Sequence, residues 1–263
     1  MADSVLTRVR HPLRYRRVFV ERVSPLTPRM RRIVVAGAEL DGFTSPGFDD
    51  HVKLFFPDAA GRLPAPVVGA DRLEFPEGPP PPGRDFTPRH FDAARRELTL
   101  DMGVHGDGPA ARWAATAAPG TPLGIAGPRG STIVRDGLAW NLLVGDETAV
   151  PAIARRFEEA PPGLSIVALI EVEDAAEELP LPSSARVDVR WIHRGGATSI
   201  DEVLAAVQLP AGEGFAWVAG ERDLARRIRR HFIEVMGLPP GHVKASAYWR
   251  RGETGRHEVL GDE

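Results

Sequence analysis

The chain contains no cysteine. This excludes disulfides, thiolate zinc sites, a cysteine nucleophile and cysteine-ligated iron–sulfur clusters, and it fits a reducing compartment. Lysine is nearly absent as well: Lys53 and Lys244 are the two in 263 residues, so positive charge is carried by arginine. With a net charge of -3 there is no basic field for nucleic acid. The eight histidines are scattered without a ligand spacing such as H-x-x-x-H, so no resident metal is expected. No apolar run approaches the ~20 residues needed to cross a bilayer. The N-terminal stretch MADSVLTRVRHPLRYRRVFV has no apolar core with a small-residue cleavage site. The expectation is a cytoplasmic protein with no membrane or nucleic-acid partner.

What is present falls into two halves with different grammar. Residues 15–23, 30–37, 51–57, 86–91, 97–104 and 121–127 read as short strands, rich in β-branched and aromatic residues and bounded by Gly, Pro or Asp. Six such strands with one late helix predict a small antiparallel barrel. The Pro-rich segment 63–83 reads as a loop. From residue 140 onward, apolar strands at 140–145, 165–172, 187–193, 214–220 and 243–249 alternate with helices at 146–160, 199–209 and 221–237. Continuous apolar strands alternating with helices predict a parallel sheet covered on both faces. The boundary falls in the polar segment STIVRDGLA, 131–139.

The segment HGDGPAAR, 105–112, matches G-x-G-x-x-A. A dinucleotide fingerprint of that form opens a parallel βαβ unit and needs an acid ~20 residues later, closing the next strand. Here the preceding strand belongs to the antiparallel half and no such acid follows, so a Rossmann assignment fails. Phosphate remains attractive. Pro109 suits the first helical position, Gly108 permits close approach, and the amides of Ala110, Ala111 and Arg112 sit at the positive end of a helix. A well-capped helix plugging the barrel, with Asp107 as cap, fits the same letters.

Seven motifs taken together carry a resemblance: RDFTPR (84–89), HGDGPAARWAATAAPG (105–120), GIAGPRGS (124–131), LLVGDETAVPAIARRFE (142–158), WIHRGG (191–196), AWVAGE (216–221) and AYWRRG (247–252). In this order they resemble the siderophore-interacting protein family, flavin-dependent ferric-siderophore reductases of the ferredoxin–NADP reductase-like superfamily. The resemblance covers nearly the whole chain. It implies a six-stranded antiparallel Greek-key β-barrel binding FAD over 1–135 and an α/β parallel-sheet domain binding NAD(P)H over 136–263. For FAD it implies Arg84 at the phosphates, Thr87 beside the isoalloxazine ring, and further contacts from Asp85, Phe86, His105, Gly108, Pro109, Ala110, Ala111 and Trp113. Phe86 stands where the family pattern has tyrosine, which removes a hydroxyl bond. For the pyridine nucleotide it implies Asp146, Glu147, Thr148, Arg194, Gly220 and Glu221, with Thr87, Thr148 and Glu221 nearest the chemistry. Capping of a helix end is the alternative for Asp146 and Glu221.

Arg194, at the end of a strand, favours a 2′-phosphate and hence NADPH, whereas Glu171, at the end of the preceding strand, favours a free 2′-hydroxyl and NADH. The balance is drawn toward NADPH. The ferric siderophore, a bulky and often anionic substrate, is expected at Lys53, Arg129 and Arg250 or Arg251, and the protein is expected to act as a monomer. The implied activity is hydride transfer from NAD(P)H to FAD, followed by one-electron reduction of chelated Fe(III) and release of Fe(II). A reductase of free flavin or of a redox protein, and a non-catalytic siderophore carrier, are the alternatives.

Overall fold

The computed structural model describes residues 4–69, 72–76, 78–104, 106, 108–252 and 258–260. The chain divides into two compact units, Arg8–Thr132 and Ile133–Glu263, the latter taking in the N-terminal segment up to Thr7.

The first unit contains β1 (Tyr15–Thr27), β2 (Met30–Ala36), β3 (Val52–Phe55), β4 (Gly83–Phe86), β5 (His90–Asp92), β6 (Glu97–Gly103), α1 (Pro109–Thr116) and β7 (Pro122–Ala126). These strands form one seven-stranded sheet in the order β4-β3-β7-β1-β2-β6-β5, with every neighbouring pair antiparallel. The period of two is plain in β1, where Val18 and Val20 are buried and Arg17, Phe19 and Glu21 are exposed. Val18, Ile33, Leu54, Leu98 and Leu123 meet in the core, and α1 adds Trp113 and Ala114 to it.

The stretch 86–91, expected as one strand, is two. Pro88 has no N–H to give a ladder, and pairing stops there. The consequence is topological. Thr87, Pro88 and Arg89 carry the chain from β4 at one edge of the sheet to β5 at the other. Three residues reach at most ~11 Å, so the sheet is curled until its edges come together at this seam. Arg89 fastens the seam to β6: its N–H donates to the Thr99 carbonyl at 2.9 Å, and its guanidinium lies 3.6 Å from Asp101.

The Pro-rich segment is more ordered than a plain loop. Val67–Val68 pairs with Leu73–Glu74, and Leu63, Leu73 and Phe75 pack with Tyr15, Phe55 and Ala126 on the sheet. The segment expected as a linker also begins with a strand, Gly130–Val134, which pairs with Leu6–Arg10.

The second unit contains β8 (Trp140–Asp146), α2 (Val150–Glu159), β9 (Ser165–Val172), β10 (Arg186–His193), α3 (Ile200–Ala205), β11 (Gly214–Glu221), α4 (Arg222–Arg230), β12 (Val243–Trp249) and β13 (Glu258–Val259). The sheet order is β10-β9-β8-β11-β12-β13, parallel except for β13. All of β8 is buried, which is why its sequence is a continuous apolar run rather than an alternation. The outer strand β10 carries Arg186, Asp188 and Arg190, with Arg190 paired to Asp188 at 2.8 Å. The helix expected over 221–237 runs as α4 to Arg230 and continues through a wider turn, in which the Met236 N–H reaches the His231 carbonyl at 3.0 Å. Among the described residues no helix is long and apolar enough to cross a membrane.

The β8–β11 contact depends on a missing side chain. A Cβ at Gly214 would lie 2.1 Å from the Trp140 ring, whose own Nε1 donates to the Gly212 carbonyl at 3.1 Å. Gly214→Ala is expected to destabilise the protein by about 1–3 kcal/mol through overpacking. Urea unfolding measures it as a lower midpoint at unchanged slope; an unshifted midpoint would show that the indole moves aside without cost.

Candidate functional site

In the second unit the strand order reverses between β8 and β11. Open sheets with such a reversal bind ligands outside the carboxyl ends of the strands at that point. Asp146 ends β8 there and is almost wholly buried, at 1% exposure. Its Oδ1 accepts from the Thr148 N–H at 2.9 Å and from the Thr148 hydroxyl. Its Oδ2 accepts from the Glu221 N–H at 2.9 Å and from Trp249 Nε1 at 2.8 Å. One carboxylate thus joins the ends of β8, β11 and β12 and the turn leading into α2. Gly220 makes room for it: its φ is +143°, and a Cβ there would sit 2.5 Å from Asp146 Oδ2. Burial, reinforced by the charge of Glu147, pushes the Asp146 carboxyl up to about 6, against hydrogen bonds from Thr148 and Trp249 that favour the ionised form.

Asp146, expected to touch the nucleotide, has both oxygens engaged within the protein and is almost wholly buried. It does not cap α2, whose cap position is Ala149, with Pro151 in the first turn. Thr148 is half-buried at the crevice. Glu221, expected near the chemistry, is the cap of α4: one oxygen accepts from Asp223 N–H at 2.7 Å and Leu224 N–H at 3.2 Å, and the other faces Arg251 N–H at 3.4 Å. Arg194 is held by acids. Its Nη1 donates to Glu147 at 3.0 Å, its Nη2 grips the other Glu147 oxygen, its Nε lies 3.3 Å from Glu171, and Glu173 is 3.7 Å away.

In the first unit, RDFTPR occupies β4 and the seam. Thr87 is buried, and Phe86 is half-buried against the core. Asp85 is bound to Lys53 across the β3–β4 ladder, Nζ to Oδ1 2.8 Å, so the lysine expected to draw a substrate already has a counter-charge. Arg84 donates to the Gly83 carbonyl at 2.7 Å and has no ion pair among the described residues. α1 begins at Pro109 behind Gly108, which supplies no side-chain cap and has open space around it. The Arg112 amide, expected to be free, donates to the Gly108 carbonyl at 3.0 Å, and the amides of Ala110 and Ala111 lie in the first turn, where no intrahelical acceptor is available. Trp113 faces inward and packs on Phe56, centroids 5.5 Å apart, so it belongs to the core rather than to a ligand surface. His105 and Asp107 lie outside the described residues. Among the described residues Arg84 has no acid partner and the start of α1 has no side-chain cap; each is a donor that suits a phosphate, and the unit fits FAD. Arg129 is exposed just before the strand 130–134, and Arg250 and Arg251 are exposed after β12.

Two family models divide the chain between them. Residues 19–132 match the siderophore-interacting FAD-binding domain, and residues 138–252 match the siderophore-interacting protein domain. The NADPH-dependent ferric-chelate reductase of Escherichia coli (strain K12) is 40% identical over 247 residues, covering 92% of this chain and 95% of that protein. The chain belongs to the siderophore-interacting protein family. The ferric vibriobactin reductase of Vibrio cholerae is 30% identical over 93% of this chain and 98% of its own length. Among solved structures, a siderophore utilization protein from T. fusca superposes with a TM-score of 0.87 at 40% identity, covering 95% of this chain and 98% of the other. Phthalate dioxygenase reductase, at 12% identity and a TM-score of 0.59, shares the fold over 92% of this chain and 70% of its own.

Within this siderophore-interacting protein, Trp249 is the site residue that sequence reasoning missed. The motif AYWRRG was visible, but nothing in one sequence tells that its indole reaches a buried acid four strands earlier in the chain. Asp146 also gives a pH signature. Its folded value lies above the unfolded one, so its contribution to stability falls as pH rises from the ordinary 3.8 through about 6. Asp146→Asn abolishes that titration and loses acceptor capacity, since an amide nitrogen cannot accept. The stability gap between wild type and Asp146→Asn, measured by denaturant unfolding, is expected to narrow as pH climbs through this window. A flat or widening gap would contradict a burial-dominated carboxyl.

Proposed function

We propose that this chain is an NAD(P)H-dependent ferric-siderophore reductase that uses FAD. The observation that carries the reading is the near full-length match to a ferric-chelate reductase at 40% identity, joined to a strand-order reversal in the second unit. The curled sheet is read as a Greek-key barrel holding FAD, and the domain limits as 1–135 and 136–263. FAD, when bound, supplies the conversion between a two-electron hydride donor and the single electrons that Fe(III) accepts.

The chain's own residues provide binding, orientation and charge. The Arg84 guanidinium and the amides of Ala110 and Ala111 are assigned to the flavin diphosphate, and Thr87 at the seam to the ring. Thr148 and Gly220 border the crevice where the nicotinamide enters, kept in shape by Asp146. Glu221 serves this crevice through the start of α4. Iron enters as chelated substrate, drawn by Lys53, Arg129, Arg250 and Arg251. Outer-sphere electron transfer needs no general acid, and none is assigned. A monomer in the cytoplasm is the setting that goes with this reading.

Anaerobic stopped-flow separates the two half-reactions. Flavin absorbance in FAD-loaded protein should bleach on mixing with NAD(P)H and return on mixing with a ferric siderophore, with Fe(II) captured by a chromogenic chelator. Bleaching without return on any ferric chelate would leave a flavin reductase and sink the siderophore step. Arg84→Ala should weaken FAD affinity about 10–100-fold, from loss of a charge-assisted bond. Flavin titration checks this, and unchanged retention would remove Arg84 from the site.

A further inference from the structure

Glu171 stands at the carboxyl end of β9, in register with Asp146 of the neighbouring β8. In open sheets of this strand order, an acid at the end of that second strand accepts from the 2′-hydroxyl of the adenosine ribose, while an arginine close by accommodates a 2′-phosphate. The chain has both groups, and the structure shows that they are bound to each other. The Arg194 guanidinium is shared among Glu147, Glu171 and Glu173. Burial works against its charge, but the hydrogen bond and charge of Glu147, then the charges of Glu171 and Asp146, hold it protonated more firmly than a free arginine.

Three carboxylates around one guanidinium leave an excess of negative charge at this edge. The neighbouring side chains are engaged by acids in the same way: His193 contacts Glu178 at 2.7 Å and Arg190 contacts Asp188. A 2′-phosphate brought here meets a guanidinium whose Nε, Nη1 and Nη2 already face carboxylates, and it is repelled by the acids that hold it. A ribose hydroxyl meets none of these penalties and finds an acceptor.

We propose that the Glu147–Glu171–Glu173 cage around Arg194 makes this chain select the unphosphorylated nucleotide, NADH over NADPH. Glu171 is the acceptor for the 2′-hydroxyl. Arg194 is a positioning residue that keeps Glu147 and Glu171 in place. The inference rests on reading the carboxyl edge of the second unit as the pyridine-nucleotide site. It runs against the expectation that Arg194 reads a 2′-phosphate, and it separates this chain from its NADPH-dependent relative.

The test uses the FAD-loaded full chain and two redox-inert fragments, ADP-ribose and 2′-phospho-ADP-ribose, titrated calorimetrically. ADP-ribose is expected to bind at least about 10-fold more tightly, the effect of one unrelieved like-charge contact near a protein surface. Glu171→Gln should weaken ADP-ribose and tighten the phosphorylated fragment, shrinking the ratio several-fold. Glu173→Gln, farther from the guanidinium, should shrink it less and serves where Glu171→Gln does not fold. Equal or tighter binding of 2′-phospho-ADP-ribose, or a ratio unmoved by both variants, overturns the selection while leaving the site in place. Binding of neither fragment removes the nucleotide site itself and the selection with it.

Discussion

The second unit is organised around a single buried carboxylate. Asp146 joins three strand ends that sequence keeps far apart, and it does so at the one place where strand order reverses. A charge so deeply buried is costly unless its lone pairs are filled. Filling them fixes the Thr148 turn, the backbone at Glu221 and the indole of Trp249 in mutual register. Gly220 follows from the same constraint, because any side chain there would occupy the space of the carboxylate. The motifs DET, AGE and YWR are therefore parts of one arrangement.

The first unit is organised by a seam rather than by a charge. Its sheet turns on itself because three residues must carry the chain from one edge to the other, and Pro88 ends the ladder where the turn is made. Thr87 and Arg84 are placed by that geometry. Arg84 stands apart from the paired Lys53 and Asp85 on the same ladder. Among the described residues Arg84 has no acid partner, whereas Lys53 on the same ladder has one.

The strands and helices of both units were legible because their apolar periods are clean, as in β1 and β8. The helix start at Pro109 was legible from proline chemistry alone. Period could not show that 86–91 is broken, since five of its six residues suit a strand and only Pro88 objects. Site residues were legible as motifs but not as partners. Arg194 read as a cation awaiting phosphate because a sequence does not show Glu147 crossing from β8's end to meet it. Glu221 read as a crevice acid because its cap bonds run forward into α4, where acids are common at helix starts.

The outer strand β10 bears on how the chain behaves in a crowded cell. A sheet curled edge to edge offers little for another chain to pair with, but the second sheet ends on β10, eight residues long. Such edges invite a second copy to add a strand, and repeated addition leads to aggregation. Arg186, Asp188 and Arg190 place alternating charges along this edge. A foreign strand would have to bury them against its own backbone, so the charges serve as a guard on solubility, independent of anything bound at the other end of the strand.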